Sequence, residues 1–207
     1  MTVMNEAEML LVVAIVVLVL LIVREIILFY TNTPQQGERI EGFKDDVVYF
    51  KSEIDNDTYL VQNLKDKKEA SNLLAEIKRR LKKLMSFVCE YNKDYCRHLG
   101  KLKINDLAET HGENRYNSHT INKTRINLCL RCRSCGDTLE DINTLMFVAI
   151  HEMAHVICDI YGHTKKFWEI MKELLQLAIQ NGLYEYQDYR QMPKKYCNTM
   201  ISDTPLH

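Results

Sequence analysis

Three prolines and seven glycines in 207 residues are too few for a collagen-like, linker-rich or low-complexity chain. A surplus of positive charge is missing too. The 27 lysines and arginines face 28 aspartates and glutamates, for a formal net charge of −1. Without a basic excess to neutralise phosphates, composition gives no support to a nucleic-acid-binding role. No internal repeat is visible. The seven cysteines (Cys89, Cys96, Cys129, Cys132, Cys135, Cys158 and Cys197) lack the even count and regular spacing of a disulfide framework. They fit a reducing compartment better. Two glycosylation sequons, starting at Asn56 and Asn122, pull mildly the other way.

What is present begins with grease. "MLLVVAIVVLVLLIV", from Met9 to Val23, is fifteen apolar residues without a charge. As a helix it rises about 22 Å, short of a roughly 30 Å hydrocarbon layer. Continuing through "IILFY" to Tyr30 supplies the missing length, with Arg24 and Glu25 near one interface. No basic residue precedes the run and no small-x-small site follows it, so a retained single span at residues 9–30 is favoured over a cleaved signal peptide. Glu6 and Glu8 before the span and Arg24 after it lean the large C-terminal part toward the cytosolic side. Residues 1–30 thus read as an anchor in the bilayer and polar residues 31–46, with Pro34, Gly37 and Gly42, as a linker. Residues 47–207 read as the folded domain.

Within that domain, "VVYF" at Val47 is a short strand or a packing edge. Leu73, Leu74, Ile77, Leu81, Leu84, Met85 and Val88 recur at helical steps and predict a helix from Asp66 to about Asn92. The basic run "KRRLKK" (Lys78 to Lys83) reads as its solvated face. "HTINKTRINLCLR" (His119 to Arg131) alternates like a hairpin with "NKT" at its turn, and "SCGD" is a second turn. After an N-cap at Asp141 or Asn143, "TLMFVAIHEMAHVICDIY" predicts one buried helix stopped by Gly162. Thr164 caps the next helix, whose apolar positions run from Phe167 to Ala178.

The chemistry concentrates in "HEMAHVICDIYGHTKKFW", His151 to Trp168. His151 and His155, four apart on a helix, share one face and can share one zinc ion. Glu152, one step round, reaches a metal-bound water rather than the metal and suits a general base. A catalytic zinc needs a third protein ligand. His163 supplies it if the chain turns back at Gly162. Asp159 lies too far along the axis from His151, and Glu169 or Glu173 on the following helix is the fallback. Burying three imidazoles and a carboxylate without a metal would be costly. "CLRCRSC" (Cys129, Cys132, Cys135) lacks a nearby fourth ligand for a second, structural site, and alternation points Cys129 and Cys132 to opposite faces. Tyr189 and Tyr196 in the tail are candidate hydrogen-bond donors to an oxyanion, weighed against ordinary packing tyrosines.

This stretch resembles the minimal zinc peptidases of the WLM and SprT type, in which an H-E-x-x-H helix is followed by a turn, a third histidine and an aromatic. "GHTKKFW" matches that ending. The resemblance is closer still to metallopeptidases encoded by large nucleocytoplasmic DNA viruses, through "NKTRINLCLR", "NTLMFVAIHEMAHV", "GHTKKFW" and "YCNTMI". It implies a small α+β, zincin-like (minigluzincin-type) domain with an active-site helix, a short sheet or hairpin and packing helices. It also implies one catalytic zinc on His151, His155 and His163, with Glu152 as general base. Seven residues separate His155 from His163, where many WLM-type proteins have five. In such peptidases the strand "INLCLR" would be the edge that pairs with an extended substrate. The resulting expectation is a membrane-anchored zinc endopeptidase that hydrolyses peptide bonds through a metal-activated water, in a host or virion membrane. The alternative is a non-catalytic viral membrane protein that keeps the scaffold. WLM and SprT relatives act on proteins crosslinked to DNA, but no zinc finger or basic tail is present here.

Overall fold

The computed structural model describes residues 18–19, 22–24, 46–111, 117–132 and 135–206. The chain divides into two units, residues 1–43 and 44–207. The span expected at 9–30 lies almost wholly outside the described residues. Among the described residues, no helix is long and apolar enough to cross a membrane.

The second unit opens with an antiparallel hairpin, β1 (Val47–Lys51) and β2 (Thr58–Gln62), so "VVYF" is a strand. Helix α1 (Lys67–Tyr91) buries Ala70, Leu74, Ile77, Leu81, Leu84 and Val88, a three-and-four rhythm that keeps one stripe on the core. The basic run behaves less simply than a solvated face. Lys78 is only 4% exposed, 2.5 Å from Asp55, bonded also to Asp57 and set over the Tyr59 ring. Arg79 and Arg80 both bond Glu76 at 2.7 Å, while Lys82 and Lys83 are exposed. Asn92 ends α1 in an extended conformation and caps α2 (Lys93–Leu99) by accepting from the amides of Asp94 and Tyr95.

A three-stranded sheet follows, in the order β3 (Ala108–Glu109), β5 (Arg125–Leu128), β4 (His119–Ile121). β5 runs parallel to β3 and antiparallel to β4. Small ribbons β6 (Arg131–Cys132) with β7 (Thr138–Leu139), and β8 (Lys194–Tyr196) with β9 (Thr199–Ile201), complete the β structure among the described residues. Arg131, 1% exposed, ties the layers together. It donates to Glu109 at 2.8 Å and to Asp66 at 2.7 Å, and Glu109 also accepts from the Gln62 amide. The guanidinium and its two carboxylates offset one another's desolvation.

Helix α3 (Ile142–Ile157) runs through the middle, packed against α1, α2, α4 (Lys165–Gln180) and the sheet. Asp141 is its N-cap, accepting from the Thr144 amide at 2.9 Å. Its C-terminus falls at Ile157, five residues before the expected stop at Gly162. The Cys158 backbone turns extended there, and the Lys123 ammonium takes the Cys158 carbonyl. Gly162 instead serves the returning chain, at φ +84°.

The expectation that the cysteines do not form a disulfide framework is corrected. Cys89 pairs with Cys96 across the α1–α2 break, Cys129 with Cys197, and Cys132 with Cys135. Their Cα separations of 4.5, 6.2 and 5.2 Å are those of disulfides. The odd cysteine is Cys158, buried in the core. The odd count hid the pattern, because six residues pair and the seventh only packs. Cys129 and Cys132 bond different partners, and neither is left to hold a metal.

Candidate metal centre

Two side chains of α3 and one from the turn after it converge. His151 and His155 are one helical turn apart, and their Nε2 atoms lie 3.2 Å from each other. The shorter helix lets residues 158–163 fold back, bringing His163 Nε2 to 3.0 Å from His151 Nε2. One ligand atom from each histidine fits within 4.8 Å of the other two. Three nitrogens held at about 2.05 Å by a tetrahedral zinc stand roughly 3.3 Å apart, so the donor set fits that ion. Aromatic rings fix the imidazoles. Phe167 stacks on His155 at 4.3 Å and Trp168 on His163 at 5.6 Å, both delivered by α4 behind its Thr164 cap.

Electrostatics favour ligation. Burial, then the neighbouring His155 and His163, push His151 down to about 3. Burial, His163 and then Lys123 bring His155 to about 4. At neutral pH both rings are uncharged, with lone pairs available.

Glu152 is 5% exposed, and burial lifts its carboxyl to about 7 against the opposing hydrogen bond from Thr120. The Thr120 hydroxyl donates to Oε2 at 2.7 Å and lies 3.1 Å from the Glu152 carbonyl. Thr120 sits on β4, 32 residues upstream. The alternation of "HTI" marked it as a strand residue, but nothing local showed which carboxylate it would meet.

The remaining expected residues fall elsewhere. Asp159 is exposed and paired with Lys166 at 2.8 Å, and Glu169 is on the surface near Lys165. Tyr189 is fully buried with its ring 4.8 Å from Phe147, and it lines neither cleft of the centre. The Tyr196 hydroxyl is committed to the Cys129 carbonyl at 2.7 Å and to Ser118 at 2.5 Å. The stretch expected as a substrate edge, "INLCLR", overlaps β5 at Ile126–Leu128, and β5 is central and paired on both sides. Among the described residues, the edge strand of this sheet beside the histidines is β4.

Two clefts meet at the centre and share Ser118, His151, Glu152 and His163. One, of about 510 Å³, is bounded by Thr120, Lys123, His155 and Tyr161. The other, of about 400 Å³, is bounded by Phe147, Val148, Trp168, Tyr196 and Met200. The chain is 35% identical over 171 residues to an uncharacterized protein of Acanthamoeba polyphaga mimivirus, covering 79% of this chain and 86% of that one. The chain belongs to this viral family. A second member, an uncharacterized protein of Invertebrate iridescent virus 6, is 33% identical over 154 residues, covering 71% of this chain and 85% of its own length. No protein-family profile matches. Among solved structures, Wss1 from Saccharomyces cerevisiae is similar at 25% identity and a TM-score of 0.45, covering 59% of this chain and 89% of that one.

Proposed function

We propose that this member of the viral family is a zinc-dependent endopeptidase. The observation that carries the reading is the meeting of three imidazole nitrogens, 3.0 and 3.2 Å apart, beside a buried, hydrogen-bonded glutamate. His151, His155 and His163 would hold the ion, which when bound supplies Lewis acidity and an acidified water ligand. Glu152 accepts a proton at its carboxylate and returns it to the departing amine. Thr120 holds that carboxylate in one rotamer. Phe167 packs on the His155 ring and Trp168 on the His163 ring, holding both imidazoles in place. The extended peptide lies along the open edge of β4, adding a strand to the sheet. The reading includes a single membrane span at residues 9–30, supported by the uncharged apolar run from Met9 to Val23. The charges flanking that run lean the folded domain toward the cytosolic side, while its three disulfides lean toward an oxidising compartment.

The test uses the full chain, wild type and Glu152→Gln. Metal analysis should find one zinc per chain in both. Wild type should cleave an unfolded protein and the variant should not. Equal cleavage by both defeats the mechanism, and zinc binding without cleavage of any of many substrates favours a non-catalytic scaffold.

A further inference from the structure

The second cleft has a composition unlike the first. Phe147 and Val148 form its floor, only 5% and 8% exposed. They sit four and three residues before His151, hence on the same face of α3 and one turn toward its N-terminus. That offset of about 5 Å is close to the advance of one to two residues of extended peptide. The far wall comes from the β8–β9 hairpin, through the Tyr196 ring, Met200 and Ile201. Met200 and Trp168 form an apolar rim, 55% and 40% exposed. The hairpin is pinned to the end of β5 twice, by the Cys129–Cys197 disulfide and by the bond from the Tyr196 hydroxyl to the Cys129 carbonyl. The wall is therefore built, not a loop lying by chance against the site. Among the described residues lining the cleft the carboxylates are Glu152 and Asp203, and Asp203 is paired with Arg190 at 3.0 Å.

We infer that this cleft is a specificity pocket that takes one large apolar side chain of the substrate, from the residue next to the scissile bond. The inference rests on the peptidase reading, since its occupant is defined by a peptide crossing the histidine centre. The cleft is continuous with that centre through His151, Glu152 and His163. A volume of about 400 Å³ lies in the range of small-ligand pockets and admits a leucine, methionine or phenylalanine side chain. A carboxylate gains nothing from the apolar floor of Phe147 and Val148, where its desolvation goes uncompensated.

The test needs no turnover. Three hydroxamates are titrated by calorimetry into the zinc-loaded full chain: acetohydroxamate, one bearing an isobutyl branch and one bearing a carboxymethyl branch. The isobutyl compound should bind about tenfold tighter than acetohydroxamate or better, from the apolar area it buries. The carboxymethyl compound should show no gain. Met200→Glu, at an exposed rim position that threatens neither fold nor zinc, should remove most of the isobutyl gain. Zinc uptake with equal binding of all three compounds overturns the pocket and leaves the peptidase reading standing. Retention of the full gain in Met200→Glu overturns the hairpin's part in it. An isobutyl gain without cleavage of any peptide supports the pocket and defeats the peptidase reading. Failure to take up zinc defeats both.

Discussion

Glu152→Gln should do more than stop hydrolysis; it should stabilise the metal-free protein, and only at high pH. Burial lifts the Glu152 carboxyl from 4.5 to about 7. Between those values the folded chain keeps a proton that the unfolded chain releases. The associated stability is full below about pH 4.5 and is lost as pH rises through about 7. That difference of pKa corresponds to about 3 kcal/mol. Glutamine does not titrate, matches the protonated acid in shape, and can still bond the Thr120 hydroxyl. With zinc stripped by a chelator, the variant and the wild type should unfold at similar urea concentrations at pH 4. By pH 8 the variant should be more stable by about 3 kcal/mol. Urea unfolding at pH 4, 6 and 8 reads this directly, because the histidine titrations are common to both proteins and largely cancel. Adding zinc should shrink the gap, since a nearby cation favours the carboxylate. A gap that is the same at every pH refutes the claim that Glu152 is held in a desolvated, ionisation-opposing site.

Three further outcomes are expected. His163→Ala, at an exposed position, should leave metal-free stability nearly unchanged yet weaken zinc binding by more than the 10- to 100-fold (roughly) typical of losing an outer-shell partner, as read by competition with a chromophoric chelator. Thr120→Val should lower kcat about tenfold or more with KM little changed, by removing one hydrogen bond to a charged group, and Thr120→Ser should restore it. Replacing Cys129 and Cys197 together by serine opens a link across 68 residues. In the chain-entropy picture that costs about 4 kcal/mol, measurable as a lower urea midpoint under non-reducing conditions.

Local pattern was legible where local physics decides. The spacing of Leu74, Ile77, Leu81, Leu84 and Val88 marks α1, and Asp141 and Thr164 mark the starts of α3 and α4. The alternation around Ile126 and Leu128, with "NKT" between, marks β4 and β5. Contacts between distant segments were not legible. Sequence gives no sign that β3 pairs in parallel with β5 and so moves the open edge to β4. Lys78 sits in a basic run and reads as solvated, yet its aspartates come from the β1–β2 turn some twenty residues away. The end of α3 was misplaced because Gly162 is a strong helix-stopping signal, while the group that takes the Cys158 carbonyl, Lys123, is 35 residues upstream.

The sequence by itself determined that two imidazoles and a carboxylate ride on one buried helix, because a spacing of four fixes a shared face whatever else the chain does. It also determined that a third histidine follows a glycine able to turn the chain. Only the tertiary structure decided that His163 comes within 3.0 Å of His151, that Thr120 holds Glu152, and that a disulfide-pinned hairpin walls the second cleft. Those outcomes depend on where separate segments pack, and on the desolvation that packing imposes. Neither is written in the spacing of neighbouring residues.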